Sequence, residues 1–245
     1  MSIKNPLRYP GAKSKLYDYI CKLLIAEQRT GCTFYEPFAG SAAISLLLLE
    51  NQVISKAVLN ELDPLLYNFW FSVFNHTEEL ITLIRNTDIT LENWHEFSLY
   101  RNNDYLQDKT SVQIGFAGLF LNRTNFSGIL KANPLGGLNQ QSQYPINCRF
   151  NKDKIINSIQ QLSLYGNKIT LYNLDAIDFM KQALRYKRNR KTFVYIDPPY
   201  YKEGANLYRC YYTHEQHMLL SKFILSKTYP WLISYDNAEE IRKMY

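Results

Sequence analysis

Five short runs rich in β-branched and aromatic residues recur along the chain: TFYEPF (33–38), KAVLNEL (56–62), KITLYN (168–173), KTFVYID (191–197) and PWLISYD (230–236). Each is short enough for a strand and apolar enough to be buried on both faces, and segments with helical periodicity separate them. Strands of this kind pair in parallel, because a parallel crossover needs roughly a helix's length of chain, and that helix covers the sheet. The fold expected is therefore α/β, a doubly wound and mostly parallel sheet. Between the second and third runs, residues 63–167 contain the helix-like YNFWFSVFNHTEELITLIRN and the polar ANPLGGLNQQSQYPINCRFN. An insertion of that length is read as a functional module. The expected division is a catalytic domain of residues 1–66 and 149–245, carrying a largely helical insertion at 67–148.

Composition narrows the partners. With 245 residues, 46% of them hydrophobic, the chain can bury a substantial core. The 28 Lys+Arg against 22 Asp+Glu leave a net charge of +6, which favours a polyanionic partner without requiring one. Twenty tyrosines and thirteen phenylalanines supply either core or stacking platforms for bases. The four cysteines, Cys21, Cys32, Cys148 and Cys210, lack metal or redox spacing, so a reducing cytoplasm is the expected setting. The longest apolar stretch, 42–49, is too short to cross a bilayer, and the N-terminus lacks a signal core.

A parallel sheet binds its ligand outside the carboxyl ends of its strands. After the first run, EPFAGSAAISLLLL turns at Gly40 straight into an apolar helix, which alone reads as a structural turn. Glu61, at the end of the second run, lies 21 residues past Gly40, the spacing of an acid that accepts from ribose hydroxyls. Asp175 is either a helix N-cap or an acceptor for an exocyclic amine, and the cap weighs more. The fourth run ends in DPPYY (197–201). An aromatic amine is a poor nucleophile because its lone pair is delocalised. Two fixed acceptors, the Asp197 carboxylate and the Pro198 carbonyl, can hold both amino hydrogens and localise that pair, and the prolines preorganise them. Tyr200 can stack on a base swung out of a duplex, while Tyr201 is read as part of the wall.

RYPGAKSKL, EPFAGSAAISL, NEL, LNRTNFSGI and DPPYY occur in that order over nearly the whole chain. Together they resemble the Dam-type family of site-specific DNA adenine methyltransferases. The resemblance implies a Rossmann-like methyltransferase that uses S-adenosylmethionine on double-stranded DNA, without a metal. It implies that Tyr9 and Lys13 close over the cofactor and that Pro37, Phe38 and Gly40 lie at its methionine end. Glu61 would take the ribose, Asp175 would sit near the adenine, and Asp197, Pro198 and Tyr200 would form the catalytic motif, with Asp197 also at the cofactor. The insertion becomes the target-recognition region. The resemblance puts the LNRTNF segment, with Asn122 and Arg123, at the DNA face. Lys131, Asn139, Gln140, Gln141, Gln143 and Arg149 are candidate base or phosphate contacts, for each of which plain loop polarity is the competing reading. Phe126 is either a wedge or core.

Two alanines, Ala12 and Ala42, stand where the family pattern has glycines. The pattern also continues into a strand hairpin after PWLISYDNAEEIRKMY, where this chain stops, so an open sheet edge is expected. The basic stretch KQALRYKRNRK (181–191) precedes a strand, away from the catalytic edge, and is read as a solvated helix end. His214 and His217 suggest a metal, but Thr213 and Gln216 make a capping box, so an ordinary helix start is favoured. The function expected is methylation of the 6-amino group of adenine, beside a cognate restriction endonuclease or alone. The alternatives are transfer to cytosine, RNA or a protein amide, and a degenerate methylase that binds DNA without modifying it.

Overall fold

The structure, a computed structural model, describes residues 4–8, 16–185 and 191–245. By contact, the described chain forms two compact units, one of residues 16–62 and 168–245, the other of residues 4–8 and 63–167.

All five runs are strands of the first unit: Thr33–Glu36 (β1), Lys56–Asn60 (β2), Ile169–Tyr172 (β3), Thr192–Ile196 (β4) and Trp231–Ile233 (β5). They pair in the order β3-β2-β1-β4-β5, and every pairing is parallel. The order reverses between β1 and β4, so the crevice in which such sheets bind ligands opens at the carboxyl ends of those two strands. Helices Tyr17–Ala26 (α1) and Ala43–Glu50 (α2) precede and follow β1. One sheet face carries Tyr35, Val58, Val194 and Ile196, packed with Phe179, Met180, Leu220 and Ile224. On the other face Phe34 stacks on Phe193, with ring centroids 5.8 Å apart.

The helical unit runs wider than 67–148, from Pro64–Asn75 (α3), Thr77–Asn86 (α4) and Leu91–Ser98 (α5) through Ser111–Thr124 (α6) to Lys152–Ser163 (α7). Asp63 caps α3 through the Leu65 N–H, with Pro64 at its first position, which fixes where this unit begins. The approach of α3 and α6 depends on Gly115 and Gly118. A Cβ on Gly115 would strike the Asn68 carbonyl and come within 2.8 Å of the Phe69 Cα, and backbone cannot yield as a side chain can. Gly115→Ala is expected to lower unfolding stability by about 1–3 kcal/mol in urea denaturation, and an unchanged midpoint would show that the helices part at no cost.

The helices that follow β3, β4 and β5 are Ala176–Ala183 (α8), Gly204–Leu207 (α9), His214–Leu225 (α10) and Glu239–Met244 (α11). Asp175 caps α8 by accepting from Ile177 N–H at 2.9 Å, and Thr213 with Gln216 forms the expected capping box on α10. The described cysteines are free thiols. Among the described residues no helix is long and apolar enough to cross a membrane. Of the basic stretch 181–191, residues 186–190 lie outside the described residues.

Candidate active site

The sheet brings three sequence-selected acids and a fourth, Glu36, to one edge because parallel strands end there together. Glu36 closes β1, Glu61 follows β2, Asp175 follows β3 and Asp197 follows β4. Asn60, fully buried at the end of β2, fastens three of these ends. Its Nδ2 donates to the carbonyls of Pro37 and Leu174, and its Oδ1 accepts from Leu174 N–H. The sequence reading passed over it, although a polar side chain inside a buried strand was the available signal.

The turn after β1 is strained by design of the backbone rather than by side chains. Gly40 and Ala42 have φ of +48° and +49°, the left-handed region that favours glycine. The family's glycine at the second position thus meets a backbone requirement, which Ala42 satisfies at a cost of about 1 kcal/mol. Glu61 accepts from Gly40 N–H at 2.8 Å, so the acid and the turn that the spacing paired are in direct contact. Phe38 beside this turn packs edge-on against Tyr212, with centroids 5.3 Å apart.

Asp197 is held by a relay. Ile196 pairs with Ile233, which sets Ser234 beside Asp197, and the Ser234 hydroxyl donates to Asp197 Oδ1 at 2.6 Å. That hydroxyl has spent its one proton, so the Tyr195 hydroxyl, 2.9 Å from Ser234 Oγ, is the donor of the next bond. Burial, and next Asp197, push the Tyr195 phenol far above its usual range. Pro198 is buried, and among the described residues none donates to its carbonyl. The ring of Tyr200 meets Tyr208 edge-on at 6.1 Å. Tyr208 is also raised, by burial first and then by Tyr200, Asp197, Asp236 and Glu61, which places it among the edge acids.

The two tyrosines of DPPYY have different partners. Tyr201 is tied down through its N–H to Asp236 Oδ1 at 2.9 Å and through its hydroxyl to His214 Nδ1 at 2.9 Å. Asp236 also accepts from Lys202 N–H, so this unforeseen acid after β5 clamps the loop after the prolines. His217 is buried, with Nδ1 on the Tyr235 hydroxyl, and burial lowers its pKa to about 4. The two histidines therefore serve different tyrosines. Asp175 accepts from Ile177 N–H with Oδ1 and from the Tyr212 hydroxyl with Oδ2.

Glu36 was not singled out from the sequence. It is 4% exposed, and its Oε2 accepts from the Ser45 hydroxyl at 2.8 Å. Burial is the main cause, with Asp197 adding, of a pKa pushed up to about 8. Tyr9 and Lys13, like Ala12, lie outside the described residues.

In the helical unit the LNRTNF segment divides its work. Asn122 is fully buried, accepting from Arg8 N–H at 2.7 Å and donating to the carbonyls of Arg8 and Gly128. Its amide is consumed inside the unit, so it offers no face to DNA and its contribution is to hold the chain around Arg8. Asn125, also buried, accepts from Trp94 Nε1 at 2.7 Å and donates to the Ile129 and Leu130 carbonyls. Arg123 is half-buried with an unpartnered Nε; burial and then Arg8 lower its pKa to about 10. Phe126 is 65% exposed beside Ser127, whose φ is +54°. A cavity of about 270 Å³ is lined here by Arg8, Phe126, Tyr144, Cys148 and Arg149. Lys131, Asn139, Gln141 and Gln143 are exposed, whereas Gln140 is a loop staple, donating to the Leu135 and Gly137 carbonyls and accepting from Ile146 N–H.

Comparison with known proteins gives a family and several relatives. A family model described as D12 class N6 adenine-specific DNA methyltransferase matches residues 9–245. The chain is similar to the Type II methyltransferase M.MjaIII of Methanocaldococcus jannaschii, 25% identical over 210 residues that span 82% of this chain and 70% of the relative. It is 27% identical over 212 residues to the Type II methyltransferase M1.LlaDCHI of Lactococcus lactis subsp. cremoris, covering 85% and 69%. A third relative, the Type II methyltransferase M.CviBI of Paramecium bursaria Chlorella virus NC1A, is 26% identical over 215 residues, covering 87% and 76%.

Proposed function

The chain belongs to the D12 class N6 adenine-specific DNA methyltransferase family, and from that premise we propose that the carboxyl ends of β1, β2 and β4 hold S-adenosylmethionine against an extruded adenine. It is an adenine-specific DNA methyltransferase, and its substrate is DNA. The observation that carries the proposal is the Asp197 carboxylate fixed by Ser234 at 2.6 Å, next to an acceptor carbonyl on Pro198 and the ring of Tyr200.

The chemistry of the edge suits a cationic ligand. Glu36, Glu61, Asp175 and Asp197 supply carboxyl groups, and Phe38, Tyr200 and Tyr208 supply aromatic surface, which attracts cations electrostatically. S-Adenosylmethionine contributes an electrophilic methyl group on a positively charged sulfur. Pro37, Phe38 and Gly40 are proposed at its methionine end, Glu61 at the ribose, and Tyr9 and Lys13 as the segment that covers it. Asp175 enters through lone pairs left beyond the cap and the Tyr212 hydroxyl.

Asp197 and the Pro198 carbonyl accept the two amino hydrogens of adenine, which draws the nitrogen lone pair out of conjugation and aims it at the donor. The relay from Tyr195 through Ser234 keeps the carboxylate from rotating away. Tyr200 stacks on the base. No basic side chain is required, since the nitrogen becomes acidic as its new bond forms and releases its proton late.

The helical unit is proposed to read the DNA. Arg8 acts on both Arg123 and Arg149, and among the described residues no acidic side chain acts on Arg8 or Arg123, an arrangement suited to phosphate or guanine. Arg123, Lys131, Asn139 and Gln141 are the proposed contacts, and Asn122 supports them from inside. Phe126, exposed on a strained turn, is proposed as the wedge that replaces the extruded base. Phe126→Ala is expected to slow methylation of duplex DNA about tenfold, and to spare a duplex already mismatched at the target adenine. Equal loss on both substrates would assign Phe126 another role.

The setting proposed is the cytoplasm, beside a restriction endonuclease of the same site, as the relatives' Type II names suggest. Sequencing host DNA for methylated bases with and without the expressed gene tests the whole reading. A single sequence motif carrying modified adenine supports it, and identical methylation patterns would overturn it.

A further inference from the structure

Glu36 is a carboxyl group without an evident task. It lies within the sheet edge, at the end of β1, 4% exposed. Taking a carboxylate out of water is costly unless a cation or several donors receive it. The groups facing Glu36 supply neither in full. From α2 come two neutral donors, the Ser45 hydroxyl at 2.8 Å and the Ser45 backbone N–H. From β4 come Asp197 and Tyr195, one an acid and the other a phenol held neutral. On the β2 side, the Asn60 amide is spent on the Pro37 and Leu174 carbonyls. Among the described residues, no cationic side chain acts on Glu36.

Two carboxyl groups sharing one site do not both ionise readily. Asp197 is the more exposed of the two and accepts a hydrogen bond at 2.6 Å, so it keeps the negative charge. Glu36 keeps the proton. We propose that Glu36 is a proton-release device: it stays protonated beside Asp197 in the ligand-free protein and yields its proton to solvent when the sulfonium of S-adenosylmethionine enters the same edge. The inference rests on the reading of that edge as the cofactor site. A pKa pushed up to about 8 leaves the group mostly protonated near neutral pH, within reach of a nearby positive charge. Methyl transfer abolishes the sulfonium charge, so Glu36 takes a proton back from solvent, which weakens the hold on the thioether product.

The test is isothermal titration calorimetry of the full chain with S-adenosylmethionine and with S-adenosylhomocysteine, in buffers of different ionisation enthalpy at about pH 7. Wild-type protein is expected to release up to about one proton more with S-adenosylmethionine than with its uncharged-sulfur counterpart, and the excess should fade by about pH 9 or above. Glu36→Gln keeps the shape and the bond from Ser45, and should bind S-adenosylmethionine without that excess. Equal excess in wild type and variant, or equal release with both ligands, overturns the proposal. An infrared difference spectrum of the wild-type protein gives an independent reading. A protonated-carboxyl stretch should be present without ligand and lost on adding S-adenosylmethionine; its absence from the ligand-free protein overturns the proposal. If neither ligand produces binding heat, the cofactor reading falls, and the inference with it.

Discussion

Asp197→Ala is expected to lower methyl transfer to DNA by roughly a thousandfold while leaving the fold largely in place. The size follows from losing a preorganised acceptor that acts most strongly as charge develops on the amine nitrogen. The fold should survive because Asp197 is half-buried, lies one residue beyond β4 and bonds the half-buried Ser234. Ser234 left behind is half-buried and can still bond the Tyr195 hydroxyl. Asp197→Asn is the sharper variant, since its amide keeps the size but turns one of the acceptor positions into a donor facing the amine. Radiolabel transfer to duplex DNA, measured beside a thermal melt, checks both halves. Turnover within about tenfold of wild type would remove Asp197 from the chemistry. Ser234→Ala should show a smaller loss, because it frees the carboxylate to rotate without removing it.

The largest stability effect is expected at Asn122. Its side chain makes three hydrogen bonds in a fully buried place, to Arg8 N–H, the Arg8 carbonyl and the Gly128 carbonyl. Asn122→Ala deprives three backbone groups at once, and each buried group left without a partner costs about 1–3 kcal/mol. The losses do not add in full, so a total of about 3–5 kcal/mol is expected in urea denaturation. Residues 4–8 should lose hydrogen-exchange protection in the same variant. Asn122→Asp is expected to rescue little, since it supplies the acceptor for Arg8 N–H but no donor for the two carbonyls. A direct DNA contact would behave in the opposite way, with weaker DNA binding and an unchanged melt.

These two positions also mark what the sequence reveals and what it hides. All five strands were legible because a strand buried on both faces is written as a continuous apolar run, and the parallel sheet follows from helix-length spacers. Gly40 with Glu61 was legible by spacing, and they meet at 2.8 Å. The Asp175 and Thr213 caps follow from rules that act within three residues, so they too can be read locally. Asn122 belongs to the opposite class. Its partners are 114 residues away at Arg8 and across a turn at Gly128, and a residue type does not disclose which carbonyl it will meet. Ser234 and Asp236 were hidden for the same reason, being defined by the pairing of β5 beside β4. Glu36 stood in view within TFYEPF, yet only the register with β4 puts it beside Asp197 and makes its burial consequential.

The stability of the ligand-free protein should carry the mark of Glu36. Its folded pKa lies above the ordinary carboxylate value of 4.5, at about 8, so the folded state binds more protons than the unfolded chain between those limits. Stability from this group is greatest at low pH and declines as pH rises through that window. Other acids titrate in the opposite sense at its lower end, so the decline is cleanest between neutrality and about pH 8.5, where Glu36→Gln should flatten it.

The central claim is that this edge presents the 6-amino group of an adenine to a methyl donor. Incubating duplex DNA with the protein and S-adenosylmethionine bearing a deuterated methyl group, digesting it to nucleosides and identifying the labelled base by mass spectrometry tests this most directly. The label is predicted on N6-methyladenine, and it should be absent from the Asp197→Ala reaction. Label on the 4-amino group of cytosine, or equal labelling by the variant, would contradict the account.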